Sequence, residues 1–468
     1  MELELEDIQG YVVRGYKYMM YSRYVMLTIT DPAAAKKFLK TNSADVTHVN
    51  HHPTTHCLNF AFTAPGLKAL GLKQENIDNF NREFREGITT DHRQRILGDI
   101  DSSAPENWRW GGPKNDEVHI LLMAFGVNKD FALNYADQLK QQYLISGLKE
   151  VFVIDGQTLP YNKEHFGFRD GISQPIIQGS GKEGPLEHHI KAGEFLMGYK
   201  NEYNVYSDTP VLAEMQGEET LLPFDASGKG KRDLGRNGSY MVLRQLQQDV
   251  DGYWNFLNDK TKNEDGTINA EASTKLAAQM MGRWPSGAPI VKFPDKDPGG
   301  ISDEDDFLYM DHDKDGSKCP FGSHLRRTNP RDNFEDNKVN ESLRLTRRHR
   351  IMRRARLYGD PYVGSALNHS PDGEVGLVFT CFNADISRQF EFIQYTWANY
   401  PKFKQLYNDP DPICGVRDNP VPGTEQNFTI PGSPVNKYIT GLKKFVHTKG
   451  GAYFFFPSIT TINYLTTI

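Results

Sequence analysis

The chain has 468 residues, 38% of them hydrophobic and 12% aromatic, and a formal charge of −6. That length buries a large core and usually divides into more than one folding unit. The slightly acidic balance gives no electrostatic reason to expect nucleic acid as a partner, and no run of about 18 apolar residues is present to cross a membrane.

The opening Met1-Glu2-Leu3-Glu4-Leu5-Glu6-Asp7 lacks the basic and apolar regions of a secretion signal. The cysteines Cys57, Cys319, Cys381 and Cys414 form no CxxC pair and no CxxCH for covalent haem attachment. A cytoplasmic location is the expectation for the chain as it stands.

Tyr24 to Ile29 is a β-rich apolar run, and Asp31-Pro32 then opens a helix by capping and by a proline in its first turn. Cys57 to Phe62 reads as a strand and Pro65 to Phe80 as a helix. Val118 to Phe125 reads as a buried strand, and 128–143 as a helix with Phe131, Tyr135, Leu139 and Tyr143 at i+4 spacing. Val151 to Ile154 closes an order of strand, helix, strand, strand, helix, strand. A similar order recurs later. Ser239 to Leu246 and Val375 to Phe382 read as strands, while Asp249 to Asn258 and Asp385 to Trp397 read as helices. The expected fold class is α+β, two ferredoxin-like halves with antiparallel sheets flanked by helices. The expected division is 1–180 as an N-terminal half, 181–237 as a long connecting loop and 238–468 as a C-terminal half. Residues 298–318 and the proline-rich 408–434 read as loops.

Three segments carry the chemistry. Cys319-Pro320-Phe321-Gly322-Ser323-His324-Leu325-Arg326-Arg327-Thr328-Asn329-Pro330-Arg331 places a histidine before a cationic run. A neutral imidazole there can bind haem iron, and such a ligand usually donates its other N–H to a carboxylate. Asp411, in Asp409-Pro410-Asp411-Pro412, is the candidate for that carboxylate. Gly167-Phe168-Arg169-Asp170-Gly171 is first of all a turn. Its glycines would let backbone approach a flat cofactor, and its carboxylate could move a proton to and from bound peroxide. Arg353, in Met352-Arg353-Arg354-Ala355-Arg356-Leu357-Tyr358-Gly359, would supply fixed positive charge. Most of the arginines between 344 and 356 read as a solvated helix face. Asp311-His312-Asp313-Lys314-Asp315-Gly316 mimics the start of a calcium loop, but its twelfth position is Gly322 rather than glutamate. His48, His51, His52 and His56 lack a second cluster to complete a zinc site.

Together these segments resemble the dye-decolorising peroxidases. The family's Gly-x-x-Asp-Gly motif matches Gly167 to Gly171, its proximal-histidine segment matches Cys319 to Arg331, and its distal arginine falls on Arg353. Ile8-Gln9-Gly10, Gly376-Leu377-Val378-Phe379 and Trp397-Ala398-Asn399 are similar as well, so the likeness spans most of the chain. It implies a fold of the dimeric α+β barrel type and non-covalent haem b held mainly by the second half. It implies Asp170 and Arg353 on the peroxide side of the iron and His324 as the metal ligand on the other. Leu377 and Phe379 would lie near the distal face, and Arg326 or Arg327 would meet a propionate. Ala355, Arg356 and Leu357 depart from the family pattern, as does Arg169 where an apolar residue is common. The implied partners are hydrogen peroxide and small organic reductants, without nucleic acid or membrane, in a monomer or homodimer. Tyr358 and Trp397 would either relay electrons or pack as core aromatics. The expected activity is a haem peroxidase with an acidic optimum for donor oxidation. A haem-handling or sensing protein with little turnover is the alternative, and a haem-free binding module the third reading.

Overall fold

Ile120 to Gly126 is apolar at every position, which is what a strand needs when both of its faces are covered. In the computed structural model, which describes residues 2–334, 338–404, 406–417 and 425–468, all seven of its residues are buried. It belongs to a first set of strands, β1 (Tyr21–Ile29), β2 (His56–Phe62), β3 (Ile120–Gly126) and β4 (Leu148–Gln157). Helix α1 (Pro32–Asn42) follows β1 and α2 (Lys129–Leu144) follows β3. The N-caps are those the sequence predicts: Asp31 accepts from the N–H groups of Ala33 and Ala34, and Asn128 from that of Phe131. The strands pair antiparallel in the spatial order β2-β3-β1-β4.

The second set comprises β5 (Ser239–Gln248), β6 (Arg356–Tyr358), β7 (Gly376–Asn383) and β8 (Val446–Phe456). Helices α3 (Val250–Thr261) and α4 (Ala270–Met281) follow β5. Its spatial order, β8-β5-β7-β6, repeats that of the first set. The sets meet at two seams, each a single residue pair, Gln157 with Leu357 and Phe62 with Phe455. One closed antiparallel sheet results. Its inner face buries Tyr11, Tyr24, Met123, Phe125, Met241, Phe382 and Phe454 from both sets. Its outer face is covered by helices and by a third apolar cluster built on Phe166, Tyr253, Trp254 and Trp284.

Some expected elements differ. The helix expected over 65–80 breaks into Ala64–Ala69 and Gln74–Ile77, because Gly71 takes φ +99 between them. The stretch 385–397 winds as a wider helix, Ser387–Glu391 and Ile393–Asn399, with π-type hydrogen bonding. Residues 418–424 of the loop expected over 408–434 lie outside the described residues. No helix among the described residues is long and apolar enough to cross a membrane.

The arginine run is not a solvated face. Only Arg344 is exposed. Arg354 donates to the carbonyls of Tyr11, Val12 and Val13, and Arg356 to those of Gly15 and Tyr16. Both guanidinium groups thus satisfy the carbonyls ending the first helix, Gly10–Arg14.

Candidate active site

β5 and β7 present alternate side chains to the outer face of the sheet. Arg244, Leu246 and Gln248 lie beside Leu377 and Phe379 there, paired Leu377 to Leu246 and Phe379 to Arg244. A large cavity lies between this face and the helices, and its wall also holds Asp170, Arg353, His324, Ile393 and Ile413. Segments 183 residues apart in sequence, at Asp170 and Arg353, therefore meet at one space.

His324 begins the short helix α5 (His324–Thr328). Its Nδ1 lies 2.9 Å from Asp411 Oδ2, the partner that the sequence reading assigned. Asp411 is fully buried, and its Oδ1 accepts from the backbone N–H groups of Ile413 and Cys414 at 2.8 and 3.0 Å. Burial pushes its pKa up, but the facing imidazole and these donors bring it down to about 2. Burial disfavours charge on His324 too, yet Asp411 raises its pKa well above the ordinary value. Because a carboxylate faces Nδ1, the neutral ring carries its proton there. Nε2 has no hydrogen-bond partner among the described residues, so it is the ring atom open to a metal. Cys414 Sγ, 3.7 Å from Nδ1, is a neighbour that sequence reasoning missed. His324, Asp411 and Cys414 form the one group among the described residues whose metal-capable donor atoms cluster within 4.8 Å.

Asp170 sits in a turn. Its Oδ1 accepts from the N–H of Gly171 at 2.6 Å and from Arg353 Nη1 at 3.2 Å. Oδ2 has no hydrogen-bond partner among the described residues. Arg353 also donates to the Ile172 carbonyl at 3.0 Å, and its own N–H is held by Gln174 Oε1 at 3.1 Å. Gly167, with φ +104, is needed for a reason different from the one expected: a Cβ there would lie 2.2 Å from the Gly364 carbonyl oxygen. The turn is braced by Glu164, which accepts from the N–H groups of Phe166 and Phe168, both at 2.9 Å, and from Gln248 Nε2 at 2.5 Å. Burial pushes the Glu164 carboxyl up to about 7.

Arg326 and Arg327 are both in the predicted segment, but the structure puts neither on the cavity wall. Arg326 is buried against Asp313, 2.7 Å away, and also donates to the Cys319 carbonyl and Asn333. Asp313, from the calcium-like stretch, is thereby committed to an arginine and to the N–H groups of Lys318 and Cys319. Arg327 donates to the backbone carbonyls of Trp397, Tyr400 and Asp409. The expected propionate contacts are therefore corrected: both cations serve to fix the helix that carries His324. The arginines that do line the cavity include Arg169, Arg331 and Arg350. Arg350 Nη2 donates to the Ser173 carbonyl at 2.7 Å, and Arg331 pairs with Asp305. Arg331 stood in the same sequence segment and could have been weighed with its neighbours; Arg350 carried no local signal. Tyr358 and Trp397 are 7% and 1% exposed, so neither offers a ring to a donor at the surface.

These side chains suit haem. The donor set is one imidazole with a free Nε2 and a carboxylate behind it, and the wall combines apolar side chains with arginines able to meet carboxylates.

No protein-family model matches the chain. Peroxidase 2 of Mycetinis scorodonius is 30% identical over 500 residues, covering 98% of this chain and 87% of that protein. A dye-decolorizing peroxidase of Exidia glandulosa is 27% identical over 482 residues, covering 98% and 86%. The solved structure of an ancestral D-type dye decolorizing peroxidase superposes with a TM-score of 0.80 at 26% identity, covering all of both chains.

Proposed function

The chain belongs to the dye-decolorizing peroxidase family, whose members are haem enzymes, and from that premise we propose that Asp170, Arg353 and His324 carry the reaction with hydrogen peroxide. The observation that supports this reading is that the Asp170–Arg353 pair and the Asp411-backed His324 share one cavity wall. A carrier of haem needs the imidazole but neither the carboxylate nor the arginine, so the pair favours catalysis.

His324 Nε2 would hold the iron of a non-covalent haem b, with Asp411 keeping the proton on Nδ1 and making the ring more electron-rich. Leu377 and Phe379 would narrow access on the sheet side. Arg331 and Arg350 would receive the cofactor's acidic edge, the role expected of Arg326 and Arg327. When bound, haem supplies the redox equivalents that reduce peroxide to water and withdraw single electrons from organic donors. Asp170 Oδ2, the carboxylate oxygen without a protein partner, takes a proton from peroxide and returns it to the departing oxygen. Arg353 Nη1 sits 3.2 Å from the other carboxylate oxygen, where its charge orients Asp170 and offsets negative charge on the peroxide oxygens.

Absorbance of the haem-loaded protein, followed after one equivalent of peroxide, tests the assignment. Asp170→Asn should keep its haem and slow the spectral change by about 100- to 10,000-fold. His324→Ala should lose haem retention. An Asp170→Asn protein that reacts at the wild-type rate refutes the role given to Asp170.

A further inference from the structure

A two-stranded hairpin stands apart from the closed sheet. Phe428–Ile430 pairs antiparallel with Lys437–Ile439, with Thr429 opposite Tyr438. Side chains alternate across such a pair. Phe428 and Ile439 are buried in the third apolar cluster. The opposite face carries Thr429 and Tyr438 and is continued by Asn427 and Asn436 at the strand ends. That face walls a second cavity of about 340 Å³, bounded elsewhere by Tyr407, Asn408 and Asp409. It shares no lining residue with the cavity that holds His324.

The wall pairs aromatic rings with neutral polar groups. Tyr407 and Tyr438 are 77% and 56% exposed, so two rings at the cavity meet solvent. Lys402 Nζ lies over one face of the Tyr407 ring, 5.0 Å from its centre. Asn408 Nδ2 donates to the Glu425 carbonyl at 2.6 Å, and Asn436 Oδ1 accepts from the N–H of Gly432 at 3.2 Å. Asn408 Oδ1, Asn436 Nδ2 and both tyrosine hydroxyls have no hydrogen-bond partner among the described residues. Asp409 is the one charged residue among those described on this wall. It is buried, and its Oδ1 accepts from the N–H of Thr429 at 2.5 Å, so it offers a ligand no open charge.

A charged ligand gains nothing from such a wall, and a hydrocarbon would leave its amides unpaired. Sugar hydroxyls both donate and accept, which matches one free acceptor and one free donor on the asparagines. A pyranose with every hydroxyl equatorial presents only C–H groups on its two faces. Those groups pack well on the negative face of an aromatic ring. In a β-1,4-linked chain of such units the faces stay open along a flat ribbon, so one unit can dock while the chain continues outside.

We propose that this second cavity binds a glucose unit of a neutral β-linked glucan, with the sugar faces packed on Tyr407 and Tyr438 and its hydroxyls bonded to Asn408 and Asn436. Such a site would hold the protein on a polysaccharide surface, and it does not depend on the peroxidase reading.

The test is isothermal titration of cellohexaose into the haem-loaded protein. One docked glucose unit supports a Kd of about 2 mM. Tyr407→Ala and Tyr438→Ala should each weaken binding about tenfold. Tyr438→Phe keeps the ring and should stay within about threefold of the wild type. Each variant should react with peroxide at the wild-type rate, which shows an intact fold. Hexagalacturonate has an axial O4 and a carboxylate on every unit, and should bind at least about tenfold more weakly than cellohexaose. Absence of binding at about ten times the expected Kd overturns the proposal. So does wild-type affinity in both alanine variants, a loss in Tyr438→Phe as large as in Tyr438→Ala, or hexagalacturonate binding as tight as that of cellohexaose.

Discussion

Asp411→Asn isolates what the carboxylate behind His324 does, since the amide keeps the shape and removes the charge. In the wild type each carboxylate oxygen accepts from a different side: Oδ2 from His324 Nδ1 at 2.9 Å, Oδ1 from the N–H groups of Ile413 and Cys414 at 2.8 and 3.0 Å. Asparagine offers one acceptor and one donor. In either flip its NH₂ faces a group that also donates, so a buried N–H loses its acceptor, at a cost of about 1–3 kcal/mol. Loss of a carboxylate behind a ligating histidine typically lowers metal affinity about 10- to 100-fold, or about 1.4–2.8 kcal/mol, which is the same range. Titrating the haem-free variant with haem should therefore give a Kd raised by about one to two decades. The iron midpoint potential should rise, because a less electron-rich imidazole stabilises iron(III) less. An unchanged Kd together with an unchanged potential would refute the reasoning and leave Asp411 as a brace for its own loop.

Two further outcomes follow from buried charge. Arg326 and Asp313 are 1% and 0% exposed, so Arg326→Met strands a buried carboxylate and should cost about 3–5 kcal/mol, read as a lower melting temperature with weaker haem retention; melting within a degree or so of wild type would mean that Asp313 finds another partner. Glu164 is raised from 4.5 to about 7, so its contribution to stability is fully present below about pH 4.5 and is lost as pH rises through about 7, roughly 3 kcal/mol in all. Glu164→Gln, which resembles the protonated acid and does not titrate, should accordingly gain in melting temperature relative to wild type as pH climbs over that window, and profiles that stay parallel would contradict the raised pKa.

Local pattern revealed the strands well. The unbroken apolar run of β3 and the capping residues Asp31 and Asn128 are properties of short segments, and the elements they mark are present. Asp170, Arg353 and His324 were legible because their segments match a known family, and the structure brings all three to one cavity. Charge was the misleading signal. Adjacent cations at 326 and 327 and the run at 344–356 look like surface when the chain is read locally. Their partners, Asp313 on one side and the carbonyls of Tyr11 to Tyr16 on the other, are set by the fold. The same limit hid Arg350 and Cys414, whose places on the wall depend on segments far from them in sequence.

The bonds from Arg354 to the first helix also bear on how the chain is made. Tyr11 leaves the ribosome 343 residues before the guanidinium that will close that helix. A five-residue helix holds little structure by itself. The end of that helix therefore has no guanidinium to close it until the segment carrying Arg354 has been made. Closing of that helix end would then follow the first four strands and come with Arg354 and Arg356.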